Sequence, residues 1–325
     1  MDGISVIICC FNSEAKISNT LKHLAVQETK GVPWEVIIVD NASTDNTIEI
    51  AINEWKTLGN STWFNIVNEP RQGLSYARKR GVLTSQFDYI LFCDDDNWLR
   101  SDYITRSFNI LKKHPDVGVL GGHGIPEFEA EPPLWFEQFR KSYATGPQGR
   151  KTGYLEKFSV YGAGMVLRKK NLLNLYENGF DSLLSDRKGN DLVSGGDNEI
   201  CLIYRYFGYK FYYDESLFFI HFIPKERLTE NYILKRNSAK GKTEAILSLY
   251  RDFVINHKKG FSINRMFWNY QILKRIFYLF IYFLKPGKSL REKAISENLR
   301  SSIKFRWSSF CYLKDCEKKL DIFLN

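Results

Sequence analysis

The chain predicts an α/β fold built on a largely parallel sheet, and three observations carry that expectation. Short apolar runs of strand length recur through the first 90 residues, each followed by a stretch with helical spacing. Alternation of this kind gives parallel strands joined by right-handed crossovers. Two of the runs end in acidic residues, Asp40 and Asp94-Asp95-Asp96, and ligands of parallel sheets bind beyond the carboxyl ends of the strands. Finally, 325 residues of 44% hydrophobic and 26% charged composition suffice for a full core and exclude a disordered chain.

Ser5-Val-Ile-Ile-Cys-Cys-Phe11 reads as the first strand. Ser13 to Gln27 follows as a helix with Ile17, Leu21 and Leu24 on one face and Ser13 as its N-cap. Glu35 to Asp40 is the second strand, Asn41 to Asp45 a turn and Thr47 to Leu58 a helix. Asn65 to Asn68, Leu74 to Leu83 and Tyr89 to Cys93 repeat the pattern as strand, helix and strand. Asp102 to Lys113 is helical, and Gly118 to Gly122 reads as a strand running into a tight turn. Residues 123–153 read as long loops with one short helix near Trp135–Tyr143. Val160 to Leu167 reads as a strand, Asn198 to Phe207 as a helix, and Lys210 to Tyr213 and Leu217 to Phe222 as two short strands.

Charge divides the chain unevenly. Residues 225–325 hold 22 Lys/Arg against 9 Asp/Glu, whereas residues 1–224 are mildly acidic. The acidic body argues against a nucleic-acid binder, and no groove-binding motif is present. We therefore expect a domain over residues 1–225 and a helical, basic, aromatic-rich extension over 226–325. The six cysteines contain no C-x-x-C pair, which argues against a thiolate zinc site and fits a reducing cytoplasm. The N-terminus lacks the pattern of a signal peptide.

Three consecutive carboxylates repel unless something offsets them, and a hard divalent cation such as Mn²⁺ or Mg²⁺ is the natural partner. Asp40 ends a second buried strand, and its turn neighbours Ser43 and Asp45 suffice as helix caps without it. Arg71 and Arg78 flank a glycine turn and a helix, where a guanidinium can neutralise a diphosphate. A solvated acidic turn and a solvated basic helix face remain the alternatives at this point.

In order along the chain, these segments resemble family 2 glycosyltransferases of the GT-A fold. The carriers are Ser5 to Asn12, Val39-Asp-Asn-Ala-Ser-Thr-Asp45, Arg71-Gln-Gly-Leu-Ser-Tyr-Ala-Arg78, Phe92-Cys-Asp-Asp-Asp-Asn-Trp98, Gly162-Ala-Gly-Met-Val-Leu-Arg168 and Gly195-Gly-Asp-Asn-Glu199. The likeness covers about residues 4–225. It implies a Rossmann-like sheet and an inverting hexosyl transfer from a nucleotide-sugar donor, UDP-linked by family habit. The acceptor would be a hydroxyl of a glycan or a lipid-linked glycan, in surface polysaccharide assembly.

The resemblance also implies roles. Cys10, Phe11, Asn12, Glu14, Asp40, Arg71, Arg78, Asp94 and Asp95 would hold the nucleotide, with Asp40 on the base, Asp94 on the ribose and Arg78 by the diphosphate. Asp96 and His221 would bind the metal, and Asp197 would be the general base, with Glu199 as its rival. Apart from the resemblance, Trp98, Trp135, Phe136 and Tyr143 offer aromatic faces for an acceptor sugar or for core packing. Gly162, Ala163 and Gly164 let a donor or acceptor sugar approach the backbone or form a bulge. Lys225 and Arg227 suit a phosphate clamp or solvated charge. Cys9-Cys10 departs from the Pro-Thr or Pro-Ala common in the family, and Gly196 stands where Glu is common.

Phe261 to Leu284 carries nine aromatic residues with interspersed cations. Its uninterrupted apolar stretch is shorter than the ~20 residues that span a bilayer. A helix lying in a membrane interface fits it, and so does a helix packed on the body. The expected location is the cytoplasm, peripheral at the inner face of the cell membrane. Two other classes stay open from sequence: a sugar nucleotidyltransferase, and a catalytically inactive membrane-associated binding protein. The first wants a Gly-rich basic loop after the first strand, which Asn12-Ser-Glu-Ala-Lys16 does not provide.

Overall fold

The computed structural model describes residues 1–156, 159–184, 186–187, 192–256, 265–285 and 287–324. Phe261 to Asn264, the start of the aromatic segment, lie outside the described residues.

The first half alternates as expected: β1 (Ile4–Cys10), α1 (Ile17–Ala25), β2 (Trp34–Asp40), α2 (Thr47–Leu58), β3 (Trp63–Asn68), α3 (Leu74–Thr84) and β4 (Tyr89–Asp94). Strands β3, β2, β1 and β4 lie side by side and parallel, so Cys10, Asp40 and Asp94 finish at one edge. Side chains alternate across this sheet with the period of two that strands impose. Val6, Ile8, Leu91 and Cys93 enter the core under α1, whereas Ile7, Ile90 and Phe92 enter the core on the opposite face.

The second half is mixed: β5 (Asn97–Leu99), α4 (Tyr103–Lys113), β6 (Val117–Phe128), α5 (Phe136–Phe139), β7 (Gly153–Leu155), β8 (Val166–Arg168), α6 (Lys169–Glu177), α7 (Gly196–Tyr206) and β9 (Lys210–Ile223). The sheet reads β3-β2-β1-β4-β8-β6-β9-β5, with β7 also on β9. The β8 pairings to β4 and β6 are antiparallel. Four helices close the described chain: α8 (Glu230–Asn256), α9 (Arg265–Phe283), α10 (Leu290–Ser308) and α11 (Phe310–Leu324).

Several local expectations need correcting. Ser13 does not cap α1 with its side chain, because its hydroxyl donates to Asp95 instead. No tight turn follows Gly121. A Cβ on Gly122 would lie 2.1 Å from the Leu217 carbonyl oxygen, so this glycine permits close approach of β9 rather than a reversal. Strand β6 therefore runs on to Phe128, and the two short strands expected after Lys210 are one long β9 against it. The strand expected from Val160 is confined to β8, leaving Gly162-Ala163-Gly164 as a turn.

The helices after residue 225 are part of the same body. Tyr250 and Phe253 of α8, Trp268 of α9 and Leu313 of α11 share one apolar cluster with Ile7 and Phe92 of the sheet. On the outer side of α9, Met266, Tyr270, Leu273, Phe277 and Phe280 stay exposed, opposite buried Trp268 and Ile272. Their spacing of four, three, four and three residues puts them on one stripe.

Candidate active site

A cleft of about 320 Å³ opens at the carboxyl ends of β1 and β4. Cys9, Cys10 and Phe11 line it from β1, Asp94, Asp95 and Asp96 from β4, and Arg78 from α3. Gly162, Ala163, Asp186, Arg187 and Asp197 line the opposite wall, with Lys16, Tyr143, His221 and Arg227 beside the acidic triplet. Tyr232 and Arg236 reach it from α8, so the C-terminal extension supplies part of the site.

The triplet is resolved by giving each carboxylate a different surrounding. Asp95 accepts from the Ser13 hydroxyl and pairs with Lys16 Nζ at 3.0 Å. Asp96 lies 3.1 Å from Arg227 Nη1 and 3.5 Å from His221 Nε2. Burial alone would raise the Asp96 carboxyl, but His221 and Arg227 outweigh it and hold it far below the usual carboxylate range. Asp94 moves the other way, raised by burial and by the neighbouring Asp96 charge.

Strand pairing explains how His221 reaches Asp96. The β5 segment directly after the triplet pairs antiparallel with β9, Asn97 opposite His221, and Phe222 N–H donates to the Asp96 carbonyl at 2.9 Å. The His221 Nδ1 lies 2.6 Å from the Tyr143 carbonyl. A carbonyl only accepts, so Nδ1 carries a proton, and this bond fixes the ring with Nε2 facing Asp96. Tyr143 also donates its hydroxyl to the Arg227 carbonyl at 2.7 Å, steadying both partners of Asp96. Among the described residues no three His, Cys, Asp or Glu side chains cluster as a ready metal site.

Arg78 forms a buried pair with Asp186 at 3.0 Å and lies over the Phe92 ring. Breaking such a pair by removing one partner costs about 3–5 kcal/mol, because the other charge is stranded. The pair passes between two glycines: a Cβ on Gly162 would sit 2.9 Å from Arg78 Nη2, and one on Gly196 2.5 Å from Asp186 Oδ2. Asp197 stands in the first turn of α7, where its carboxylate accepts from Asn198 N–H at 2.8 Å and Gly162 N–H at 3.3 Å. Gly195, not Asp197, is the N-cap of that helix.

Other expected residues stand elsewhere. Asn12, Glu14 and Asp40 build the loop above β2: Asp40 accepts from Ser43 N–H, Asn12 from Thr44 N–H and Glu14 from Asn46 N–H. Arg71 does not line the cleft but pairs with Glu69 at 2.9 Å. Trp98 is stacked between His23 and Phe222. Trp135 and Phe136 pack in a small cluster with Phe139 and Ile223. Gly164 is occupied by the Tyr103 hydroxyl, which donates to its carbonyl at 2.6 Å. Lys225 lies in an exposed turn where its N–H donates to Glu129 at 2.9 Å. Burial pushes the Cys9 thiol up to about 12 and raises Cys10 and Cys93 as well, so none supplies a thiolate near neutral pH.

Glu199 is removed from the cleft and sits in the core, so it is no rival to Asp197 in position. Its carboxylate accepts from the Ser182 and Tyr250 hydroxyls and from Leu183 N–H at 2.7 Å. Residues missed from sequence include Asn41, Asp186, Arg187, Tyr232 and Arg236. Asn41 had a signal, following Asp40 directly; its side chain donates to the Glu69 and Arg71 carbonyls and accepts from Gly73 N–H. Asp186 sits in an irregular segment with no pattern to mark it.

The model of the family described as "Glycosyl transferase family 2" matches residues 5–175, more than half of the chain. The chain belongs to glycosyl transferase family 2. This glycosyltransferase is 22% identical over 250 residues to a glucosyl-dolichyl phosphate glucuronosyltransferase of Haloferax volcanii, covering 76% of this chain and 77% of that one. It is 29% identical over 158 residues to a poly(ribitol-phosphate) beta-glucosyltransferase of Bacillus spizizenii, covering 45% of this chain but 24% of the relative. Among solved structures, the mannosyltransferase PcManGT of Pyrobaculum calidifontis, in complex with GDP-Man and Mn²⁺, matches at a TM-score of 0.57 and 15% identity, covering 95% of this chain and 88% of that one. S. aureus TarS 1–349 in complex with UDP matches at 0.51 and 15%, covering 94% and 91%. These two similarities establish the GT-A fold.

The surroundings of Glu199 set a pH dependence. Burial raises its carboxyl from the ordinary 4.5 to about 7, against the hydrogen bonds from Ser182, Tyr250 and Leu183. Between those values the native chain holds a proton that the unfolded chain has lost, so stability falls as pH rises through the window. Thermal unfolding of the wild type is expected to show a lower midpoint at pH 8 than at pH 5. Glu199→Gln should flatten that decline, and an unchanged slope would contradict the assignment.

Proposed function

We propose that this chain is an inverting, metal-assisted glycosyltransferase that moves a hexose from a nucleotide-sugar donor to a hydroxyl of a glycan or lipid-linked acceptor. The observation that carries this reading is the placement of the Asp96–His221 pair and of Asp197 on one cleft at the carboxyl ends of parallel strands. Surface polysaccharide assembly is the setting we favour, in keeping with a relative named for poly(ribitol-phosphate). A uridine donor rests on the motif resemblance and agrees with the fold neighbour bound to UDP.

The donor set fits a divalent cation. Asp96 offers a carboxylate held ionised, and His221 offers Nε2 with its tautomer fixed by Tyr143. Two protein ligands suit an ion that takes its remaining oxygens from a diphosphate and water. A mixed nitrogen and oxygen pair favours Mn²⁺ over Mg²⁺. When bound, the cation would neutralise charge developing on the diphosphate leaving group.

Asp197 would take the proton of the acceptor hydroxyl as that oxygen attacks the anomeric carbon and the bond to the diphosphate breaks. Attack from the face opposite the leaving group inverts the anomeric centre, and no covalent enzyme intermediate is needed. Arg227, which meets Asp96 at 3.1 Å, is placed to turn to the diphosphate instead. Asp40 and Phe11 would border the nucleoside.

We also assign the exposed stripe of α9 to a membrane surface. No described helix is long and apolar enough to cross a membrane. Large apolar side chains on one face, beside Lys274, Lys285 and Lys288, instead match a helix lying on an anionic interface. Contact would be peripheral, from the cytoplasmic side.

Calorimetric titration should show UDP binding that strengthens with Mn²⁺ in the wild type and loses that dependence in Asp96→Ala. Asp197→Asn should keep nucleotide affinity while kcat falls by roughly 10²–10⁴. Equal loss of binding in both variants would contradict separate roles. For the membrane surface, Leu273→Asp, Phe277→Asp and Phe280→Asp combined should abolish co-sedimentation with phosphatidylserine vesicles, and salt should weaken it in the wild type. Unaltered sedimentation of the triple variant would refute the assignment.

A further inference from the structure

The charges lining the cleft do not all cancel locally. Lys16, Arg78 and Arg227 each have a carboxylate of their own, in Asp95, Asp186 and Asp96. Arg187 and Arg236 also line the cleft, and among the described residues neither is in an ion pair with a carboxylate. The Tyr232 hydroxyl is hydrogen-bonded to Arg236 and also feels Arg187 and Arg227. Two guanidiniums in a partly closed cavity repel one another and lose hydration, and an anion that meets both relieves each effect.

The position of these arginines shows which anion. Within α8, Thr243 lies three turns after Tyr232 and touches the start of α7, where a Cβ on Gly195 would lie 2.5 Å from its methyl group. Arg236 lies between these points and within the field of Asp197. Arg187 follows Asp186, whose carboxylate abuts Gly196 next to Asp197. Both arginines thus adjoin the Asp197 wall of the cleft, and Tyr232, stacked on Tyr143 with ring centroids 5.9 Å apart, links them to Arg227.

We propose that Arg187 and Arg236 form an anion pocket that recognises a phosphate or carboxylate carried by the acceptor near its reacting hydroxyl. This rests on the glycosyltransfer reading, in which Asp197 meets the acceptor. The guanidinium fork suits either anion through paired N–H donors. Burial presses on the charge of Arg236 and lowers its proton affinity, an effect a bound anion would reverse. Such a pocket would select acidic or phosphate-bearing acceptors and reject neutral glycans.

The test titrates sn-glycerol 3-phosphate, with glycerol as the neutral control, into the full chain with and without saturating UDP and Mn²⁺. The loaded wild type is expected to bind the phosphate compound and not glycerol. Arg236→Gln and Arg187→Gln should each weaken that binding about tenfold or more, with UDP affinity and unfolding midpoint unchanged. Arg236→Lys, which keeps the charge but loses the fork, should fall between. If the variants lose UDP affinity instead, the arginines clamp the donor diphosphate and the proposal fails. It fails equally if the loaded wild type ignores glycerol phosphate. Absence of UDP binding by the wild type would overturn the glycosyltransfer reading alone, and the titration without nucleotide would still report on the pocket.

Discussion

Like charge crowded at the end of a buried strand is the constraint on which the rest of this structure depends. Asp94, Asp95 and Asp96 follow an apolar strand that leaves them no room to spread into water. The fold separates them by partner: Lys16 and Ser13 take Asp95, Arg227 and His221 take Asp96, and Asp94 stays raised by burial. These partners come from α1's approach, from β9 and from the turn before α8. Assembling the triplet therefore draws on the start of the chain, on β9 and on the turn that leads into the C-terminal helices. His221 and Arg227 supply the positive field that keeps Asp96 ionised.

That dependence makes the C-terminal region more than an appendage. Its charge pattern differs sharply from the body, which is why sequence reads it as separate. Its apolar residues nonetheless complete the core under β1 and β4, and its polar ones, Arg227, Tyr232 and Arg236, enter the cleft. Helix α10 crosses α8 so closely that a Cβ on Gly241 would lie 2.2 Å from the Asn298 carbonyl. One run of chain thus serves as core, as cleft wall and, through the exposed face of α9, as outer surface.

What sequence could and could not reveal follows from the range of the interactions. Strands β1 to β4 and helices α2 and α3 are set by local periodicity and emerged within a residue or two of the expected bounds, whereas α1 starts at Ile17, four residues after the expected Ser13. The acidic strand ends were legible because a parallel sheet collects them at one edge. Glu199 was ambiguous because a carboxylate two residues from Asp197 looks equivalent until the helix turns it into the core. Trp98 looked like a sugar platform, yet the pairing of β5 with β9 stacks it on Phe222. Asp186 was invisible, since a partner more than 100 residues from Arg78 leaves no pattern in either segment. Tyr232 and Arg236 have the four-residue spacing of a helix face, but nothing local says which cavity that face meets.

Anomalous scattering from crystals grown with UDP and Mn²⁺ tests the central claim most directly. The account predicts a manganese peak shared by the Asp96 carboxylate and His221 Nε2, in contact with the diphosphate. A peak placed elsewhere, or ordered UDP with no manganese at that pair, would contradict it.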